Sequence, residues 1–472
     1  MKILAMALTL ALLPITPASA APALRFQPCA DVPEADCARL TVPVDRDDPG
    51  GPQVALAVAR RKATDPARRI GVLMVNPGGP GGSAAQYAKD APKVFSEEVL
   101  ARFDVVGYDP RGVGDSNPIY CDTSAVGLPY PTGRPDTPER FAQLTAYNHR
   151  LAEDCRTRTG PVFDRVDAQS AVRDMDDLRK SLGEKQITYY GMSYGTLYGQ
   201  KYAERYGKHV RAMVIDSVVE ASLPLDGLLT AGARAGEDIF TEFVRWCGTT
   251  PTCAVHGKDI PALYADLRAR ATRGELHTPG APDQPLTPTE LANRTVRFGY
   301  SPDFPRMGEY FSTLAAQPEA SFGTATRRPQ AVLCQDFTGH PASAADVATM
   351  DSHVRAAAPN VQASPIWDQA LTWCAGWQGP TLNPARPWHP ATTSQVLMLN
   401  SLHDPATGHE SAVSVHRQAR GKATLVTYEG TGHGVYTRTP CTRAVTDAYL
   451  LDRTVPRDGL RCPAIRLLEQ GT

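Results

Sequence analysis

Ser193 stands in Gly191-Met192-Ser193-Tyr194-Gly195, directly after a strand-like run at 186–190. A glycine on each side of a serine permits a sharp strand-to-helix turn that lifts the hydroxyl clear of a sheet edge. Such a hydroxyl can attack a carbonyl, provided that a base takes its proton and a carboxylate holds the base. The pattern alone is common by chance, so the rest of the chain must supply the partners in the right order. Two segments do so. The apolar run 395–399 leads into Asn400-Ser401-Leu402-His403-Asp404, and the run 423–428 leads into Glu429-Gly430-Thr431-Gly432-His433-Gly434. The order serine, acid, histidine is the one a doubly wound sheet uses for acyl transfer. His403, His409 and His416 are competing histidines, and Glu410 or Glu429 would be the substitute acid should Asp404 only cap the following helix.

An attacked carbonyl oxygen turns negative and needs fixed donors. The backbone N–H of Tyr194 is one candidate. The other is Gly78 or Gly79 in Asn76-Pro77-Gly78-Gly79-Pro80-Gly81-Gly82-Ser83, with Gly79 favoured. A phosphate cradle fails here, because no Gly-Lys-Ser/Thr follows and the dinucleotide glycine spacing is not met. Asp109-Pro110-Arg111-Gly112-Val113-Gly114-Asp115 reads as an architectural turn, with Arg111 paired to Asp109 or Asp115.

These turns must be carried by buried strands. Candidates at 54–58, 71–75, 103–108, 186–190 and 210–215 alternate with helical spacing at 168–182 and 196–206. That alternation predicts an α/β fold, a mostly parallel sheet flanked by helices, with ligands beyond the carboxyl ends of its strands. From about residue 224 the pattern turns helical, at 228–246, 261–273, 288–297 and 344–357, without a convincing buried strand. Strand and helix then alternate again. The expected organisation is a core over 21–223 and 389–472, with a helical cap inserted at 224–388.

Residues 1–20 read as a signal peptide. Lys2 precedes an uncharged apolar run at 3–13, and Ala18-Ser19-Ala20 is a small-x-small cleavage site. No other segment is apolar enough for a membrane span, so a secreted protein is expected. The 42% hydrophobic and 21% charged composition is ordinary for a globular chain. The net charge of −1, with no basic block, argues against nucleic acid as a partner. Ten cysteines in an oxidising setting suggest disulfides, and pairing of neighbours along the chain is the simplest arrangement. Cys-x-x-Cys spacing is absent and only Cys253 has a nearby histidine, His256, so zinc is not expected, and acyl transfer through a serine, a histidine and an acid implies no other metal or organic cofactor.

Taken together, these motifs resemble the secreted tripeptidyl aminopeptidases of actinobacteria, relatives of the proline iminopeptidases. The likeness runs over nearly the whole mature chain. The segments at 76–83, 103–114 and 193–195 are similar to that family's oxyanion loop, following strand-turn and nucleophile turn. Asp404-Pro405-Ala406-Thr407 and Gly432-His433-Gly434 resemble its acid and base segments, and Cys441 and Cys462 fit its C-terminal region. Gly408 departs from the pattern, since proline often follows that threonine. The resemblance implies an α/β-hydrolase fold and a secreted serine exopeptidase acting on peptide or protein substrates with free N-termini. Ser193, Asp404 and His433 would be catalytic, Gly79 and Tyr194 the oxyanion hole. Asp336 matches a position where the family commonly has an acid. It would bind the substrate ammonium or serve as a structural carboxylate. A carboxylesterase with the same triad and a non-catalytic binding protein on the same fold are the alternatives. A histidine base also implies that activity falls below about pH 6–7.

Overall fold

A computed structural model describes residues 24–465 except 129, 132–133, 318–330 and 366. The segment expected to be a signal peptide lies outside the described residues. The N-terminal strands are β1 (Gln27–Pro28), β2 (Asp36–Pro43), β3 (Gln53–Arg61), β4 (Gly71–Asn76) and β5 (Phe103–Tyr108). Helices α1 (Ala84–Lys89) and α2 (Glu97–Arg102) join β4 to β5, and α3 (Pro138–Thr159) and α4 (Ala168–Ser181) precede β6 (Ile187–Met192). Next come α5 (Gly195–Tyr206) and β7 (Val210–Asp216). After a largely helical segment, the sheet resumes with β10 (Val396–His403), α13 (His409–Gln418), β11 (Ala423–Thr431), α14 (Pro440–Asp452) and β12 (Leu460–Cys462).

These ten strands form one sheet in the order β1-β2-β3-β5-β4-β6-β7-β10-β11-β12. Pairing is antiparallel from β1 to β5 and parallel from β5 onward. Parallel strands need crossovers, which place helices over both faces, and the central strands accordingly read as continuous apolar runs. Successive residues serve opposite layers: Val72 and Met74 join one core with Tyr189, Met213 and Met398, while Leu73 and Val75 join the other with Tyr190, Val214 and Leu397. Because β4, β6, β7, β10 and β11 all run the same way, the turns after them share one edge of the sheet.

Between β7 and β10 the chain forms α6 (Leu225–Thr249), α7 (Ile260–Arg273), α8 (Pro288–Arg297), α9 (Phe304–Ala315), α10 (Ala331–Asp336), α11 (Ala344–Ala357) and α12 (Asp368–Trp373). A short hairpin, β8 (His277–Thr278) and β9 (Ala281–Pro285), interrupts this helical segment, which the sequence pattern did not signal. The chain rejoins the core at Trp388, whose indole N–H donates to the Gln200 carbonyl on α5 at 3.0 Å.

Five disulfides join neighbouring cysteines: Cys29–Cys37, Cys121–Cys155, Cys247–Cys253, Cys334–Cys374 and Cys441–Cys462. Arg111 departs from expectation. It forks onto Asp174 of α4 at 2.7 and 2.8 Å and donates to the Val44 and Pro43 carbonyls. A buried guanidinium needs a paired carboxylate, and Asp174 supplies it. Asp109 instead accepts from Ser83 Oγ and Ala85 N–H, fixing the start of α1 and hence the glycine-rich loop before it.

Candidate active site

The turn between β6 and α5 is held by close backbone packing. A Cβ on Gly191 would sit 2.5 Å from the Gly195 carbonyl oxygen, and one on Gly195 would sit 2.5 Å from the Asn76 carbonyl oxygen. Only glycine fits at either flank. Between them Ser193 has φ +56°, a region that L-residues other than glycine avoid. Its N–H donates to the Asp216 carbonyl at the end of β7, and its carbonyl accepts from Thr196 N–H and Oγ1. Strain held by such bonds is typical of a functional position.

The glycine-rich loop after β4 lies against this turn. Gly78 has φ +85°, and a Cβ there would come within 2.6 Å of the Tyr194 nitrogen. The Gly78 N–H is taken by Asn76 Oδ1 at 2.9 Å, which leaves Gly79 as the oxyanion candidate of the two. Neither the Gly79 nor the Tyr194 N–H has an acceptor among the described residues.

Asp404 follows β10 and His433 follows β11, so parallel pairing brings them to one edge. His433 Nδ1 lies 2.9 and 3.2 Å from the two Asp404 oxygens. Asp404 is buried, and its Oδ1 also accepts from the Ala406 and Thr407 N–H groups at 2.9 Å. Burial alone would raise this carboxyl. The His433 charge and hydrogen bond, with the Thr407 and Ala406 donors, outweigh it and hold the group below its ordinary value. Gly434, the residue after His433, packs on Met192, the residue before Ser193: a Cβ on Gly434 would lie 2.7 Å from Met192 Sδ. The histidine and serine segments are therefore in direct contact.

Three supports of this site were not anticipated. The first is Asp216. While its carbonyl holds Ser193, its buried carboxylate accepts from Val435 N–H, Tyr436 N–H and the Tyr190 hydroxyl. Burial nevertheless keeps that carboxyl above its ordinary value. Ser217 Oγ accepts from Gly434 N–H at 2.8 Å, so the end of β7 ties the serine and histidine turns together. An acid ending a buried strand was a visible signal. The second is Tyr300, between α8 and α9. Its ring centroid lies 4.8 Å from that of His433, and its carbonyl accepts from His433 N–H at 3.0 Å. The third is Arg438, which donates to the His433, Gly434 and Tyr300 carbonyls. No local pattern announces the last two.

Of the two roles left open for Asp336, its contacts favour the structural one. It is 1% exposed, its Oδ1 accepts from Ala168 N–H at 2.7 Å and its Oδ2 from the Tyr194 hydroxyl at 2.6 Å. A buried carboxylate with both oxygens engaged is not presented to a substrate ammonium. Of the competing histidines, His409 bonds Thr427 Oγ1 and His416 pairs with Asp458.

His403 joins α6 to the sheet edge that carries His433. Its carbonyl accepts from Gly432 N–H, while its Nδ1 meets Asp238 Oδ2 of α6 at 2.9 Å. With Glu242, these offer three ligand atoms within 4.8 Å of one another, enough for a cation. In this structure they are spent on one another and on Arg245, which binds Glu242. Burial pulls the His403 imidazole down, and Arg245 opposes its charge, but Asp238 and Glu242 win and hold it above its ordinary value. Its contribution to stability is then present in full below about pH 6.5 and lost as the pH rises through the folded-state value. The melting-temperature gap between wild type and His403→Gln should be widest near pH 5–6 and narrow by about pH 9, as followed by calorimetry. An equal gap across that range would show that the imidazole contributes only packing.

Residues 71–269 match the family described as the alpha/beta hydrolase fold, and residues 359–462 match TAP-like proteins. The chain is 33% identical over 466 residues to Carboxylesterase B of Mycobacterium tuberculosis, covering 92% of this chain and 87% of that one. It is 30% identical over 454 residues to the tripeptidyl aminopeptidase of Streptomyces lividans, covering 89% and 82%. It is also 29% identical over 459 residues to serine protease Hip1 of M. tuberculosis, covering 90% and 87%. Fold and relatives together define a serine hydrolase. Within that class the chain belongs to the TAP-like peptidases of the α/β-hydrolase fold, the group of the actinobacterial tripeptidyl aminopeptidases.

Proposed function

We propose that this protein is a secreted serine exopeptidase that releases short peptides, chiefly tripeptides, from free N-termini. The observation that carries the catalytic part is the buried Asp404–His433 pair beside a serine held at positive φ. Ser193 Oγ attacks the scissile carbonyl as His433 takes its proton, and Asp404 accepts from Nδ1–H and stabilises the imidazolium. The Gly79 and Tyr194 N–H groups hold the oxyanion. His433 then protonates the leaving amine, and the acyl-enzyme forms. Water, deprotonated by His433, releases the peptide acid and restores Ser193. The aminopeptidase reading draws on the relatives named tripeptidyl aminopeptidase, and export on the N-terminal segment together with five disulfides. Among the described residues no helix is long and apolar enough to cross a membrane. In the division favoured here, 224–388 caps a core formed by 21–223 and 389–472.

A second reading has specific support, because the relative named Carboxylesterase B is somewhat more similar than the peptidases. The same machinery cleaves esters, and the pocket decides. The test compares a free tripeptide amide reporter, its N-acetylated twin and a short-chain p-nitrophenyl ester. Efficient turnover of the free tripeptide, with the acetylated twin at least about tenfold slower in kcat/KM, is expected. Ester cleavage without peptide cleavage would replace the exopeptidase with a carboxylesterase.

A further inference from the structure

We propose that Asp336 is a positioning residue that, through the Tyr194 phenol, sets the backbone N–H following the nucleophile and so couples the cap to the oxyanion site. The proposal rests on reading Ser193 as nucleophile and Tyr194 N–H as oxyanion donor.

Asp336 ends α10, a segment anchored on every side. Cys334 is bonded to Cys374. Gln335 is buried and spans two core carbonyl and amide groups, donating to the Phe163 carbonyl at 2.7 Å and accepting from Val166 N–H at 3.0 Å. Its own carbonyl accepts from Leu382 N–H at 2.9 Å. Asp336 then fixes the start of α4 through Ala168 N–H and the nucleophile turn through the Tyr194 hydroxyl. The Tyr194 ring packs edge-on against Tyr198 of α5 and Phe337 of the cap, with centroids 5.8 and 6.2 Å away. Tyr194 is thus held at its far end by the cap, while its backbone nitrogen faces the Gly78–Gly79 loop. Removing the Asp336 carboxylate would leave a buried hydroxyl without its acceptor and free the ring to shift. Small misplacements of a catalytic group cost rate rather than ground-state binding.

Burial, together with the nearby Asp167 charge, pushes the Asp336 carboxyl up to about 7. As an anion it accepts from Tyr194, and as an acid it can donate to the phenol oxygen. Asparagine reproduces the second state, with Oδ1 accepting from Ala168 N–H and Nδ2 donating to Tyr194. Positioning needs the bond and not the charge, whereas ammonium binding needs the charge.

The test measures kcat and KM of Asp336→Ala, Asp336→Asn, Tyr194→Phe and the Asp336→Ala/Tyr194→Phe double variant, on the tripeptide reporter and on the p-nitrophenyl ester. Asp336→Ala and Tyr194→Phe should each lower kcat roughly tenfold on every substrate the wild type turns over, with KM within about twofold. The double variant should be no slower than the slower single, since both remove one bond. Asp336→Asn should recover at least about a third of wild-type kcat. A KM increase confined to the free tripeptide in Asp336→Asn, with ester kcat intact, would overturn the proposal in favour of an ammonium site. Unchanged kcat in Tyr194→Phe, which keeps nearly the whole buried ring, would overturn it even if Asp336→Ala fails to fold. Should the wild type cleave only the ester, the exopeptidase reading fails, and the ester values alone decide this one.

Discussion

Ser193→Ala is expected to remove turnover, lowering kcat by about 10⁴-fold or more on any substrate. In the proposed mechanism the hydroxyl is the attacking group, and alanine has none to offer. Stability should be nearly unchanged, because alanine at φ +56° meets the same backbone strain as serine. Ser193→Gly separates strain from chemistry. It should be as inactive as alanine but more stable by about 1 kcal/mol, since glycine occupies positive φ without penalty. Assays of both variants beside their unfolding curves provide the check. An active Ser193→Ala would move the nucleophile elsewhere. An unstabilised Ser193→Gly would show that the turn carries little strain.

Asp404→Asn should lower kcat about 10⁴-fold at neutral pH while the fold stays intact. The reason lies in the donors around the carboxylate. Its Oδ1 accepts from Ala406 and Thr407 N–H, so an asparagine would keep its oxygen there and turn its NH₂ toward His433 Nδ1. His433 would then have to accept at Nδ1 and carry its proton on Nε2, the nitrogen that must receive the serine proton. Stability should also respond to pH. A carboxyl held below its ordinary value contributes above about pH 4 and loses that contribution as the pH falls through its folded-state value, so the wild-type advantage over Asp404→Asn should shrink in acid. Retention of more than about a tenth of wild-type kcat would mean that another acid orients the histidine, with buried Asp216 the first to examine.

How far the sequence could be read depended on whether an interaction was local. The strand at 103–108 and the helix beginning at Ala168 follow from short-range apolar spacing, and the structure places Phe103–Tyr108 and Ala168–Ser181 there. The Ser193 turn was legible because its glycines answer to nearby backbone clashes. The order of serine, acid and histidine was legible because parallel strands deliver their turns to one edge. By contrast, α3 buries Leu144, Tyr147, Leu151 and Cys155 along one stripe, but its dense charge hid that stripe. The half-buried β2 near the sheet edge lacked a continuous apolar run. Arg111 found Asp174 more than sixty residues away, and Tyr300 reached His433 from the helical segment between β7 and β10, partnerships that only tertiary packing creates. For Asp336 the sequence left an ammonium site and a structural role both open: burial against Tyr194 depends on how α10 seats on the core, which spacing does not encode.

The most direct measurement is labelling of the purified protein with a fluorophosphonate, followed by peptide mapping of the adduct. A single adduct on Ser193, lost in Ser193→Ala and strongly slowed in a His433→Ala variant, is the predicted result. No adduct on folded protein, or an adduct on another residue with Ser193 unmodified, would contradict the acyl-enzyme on which this account depends.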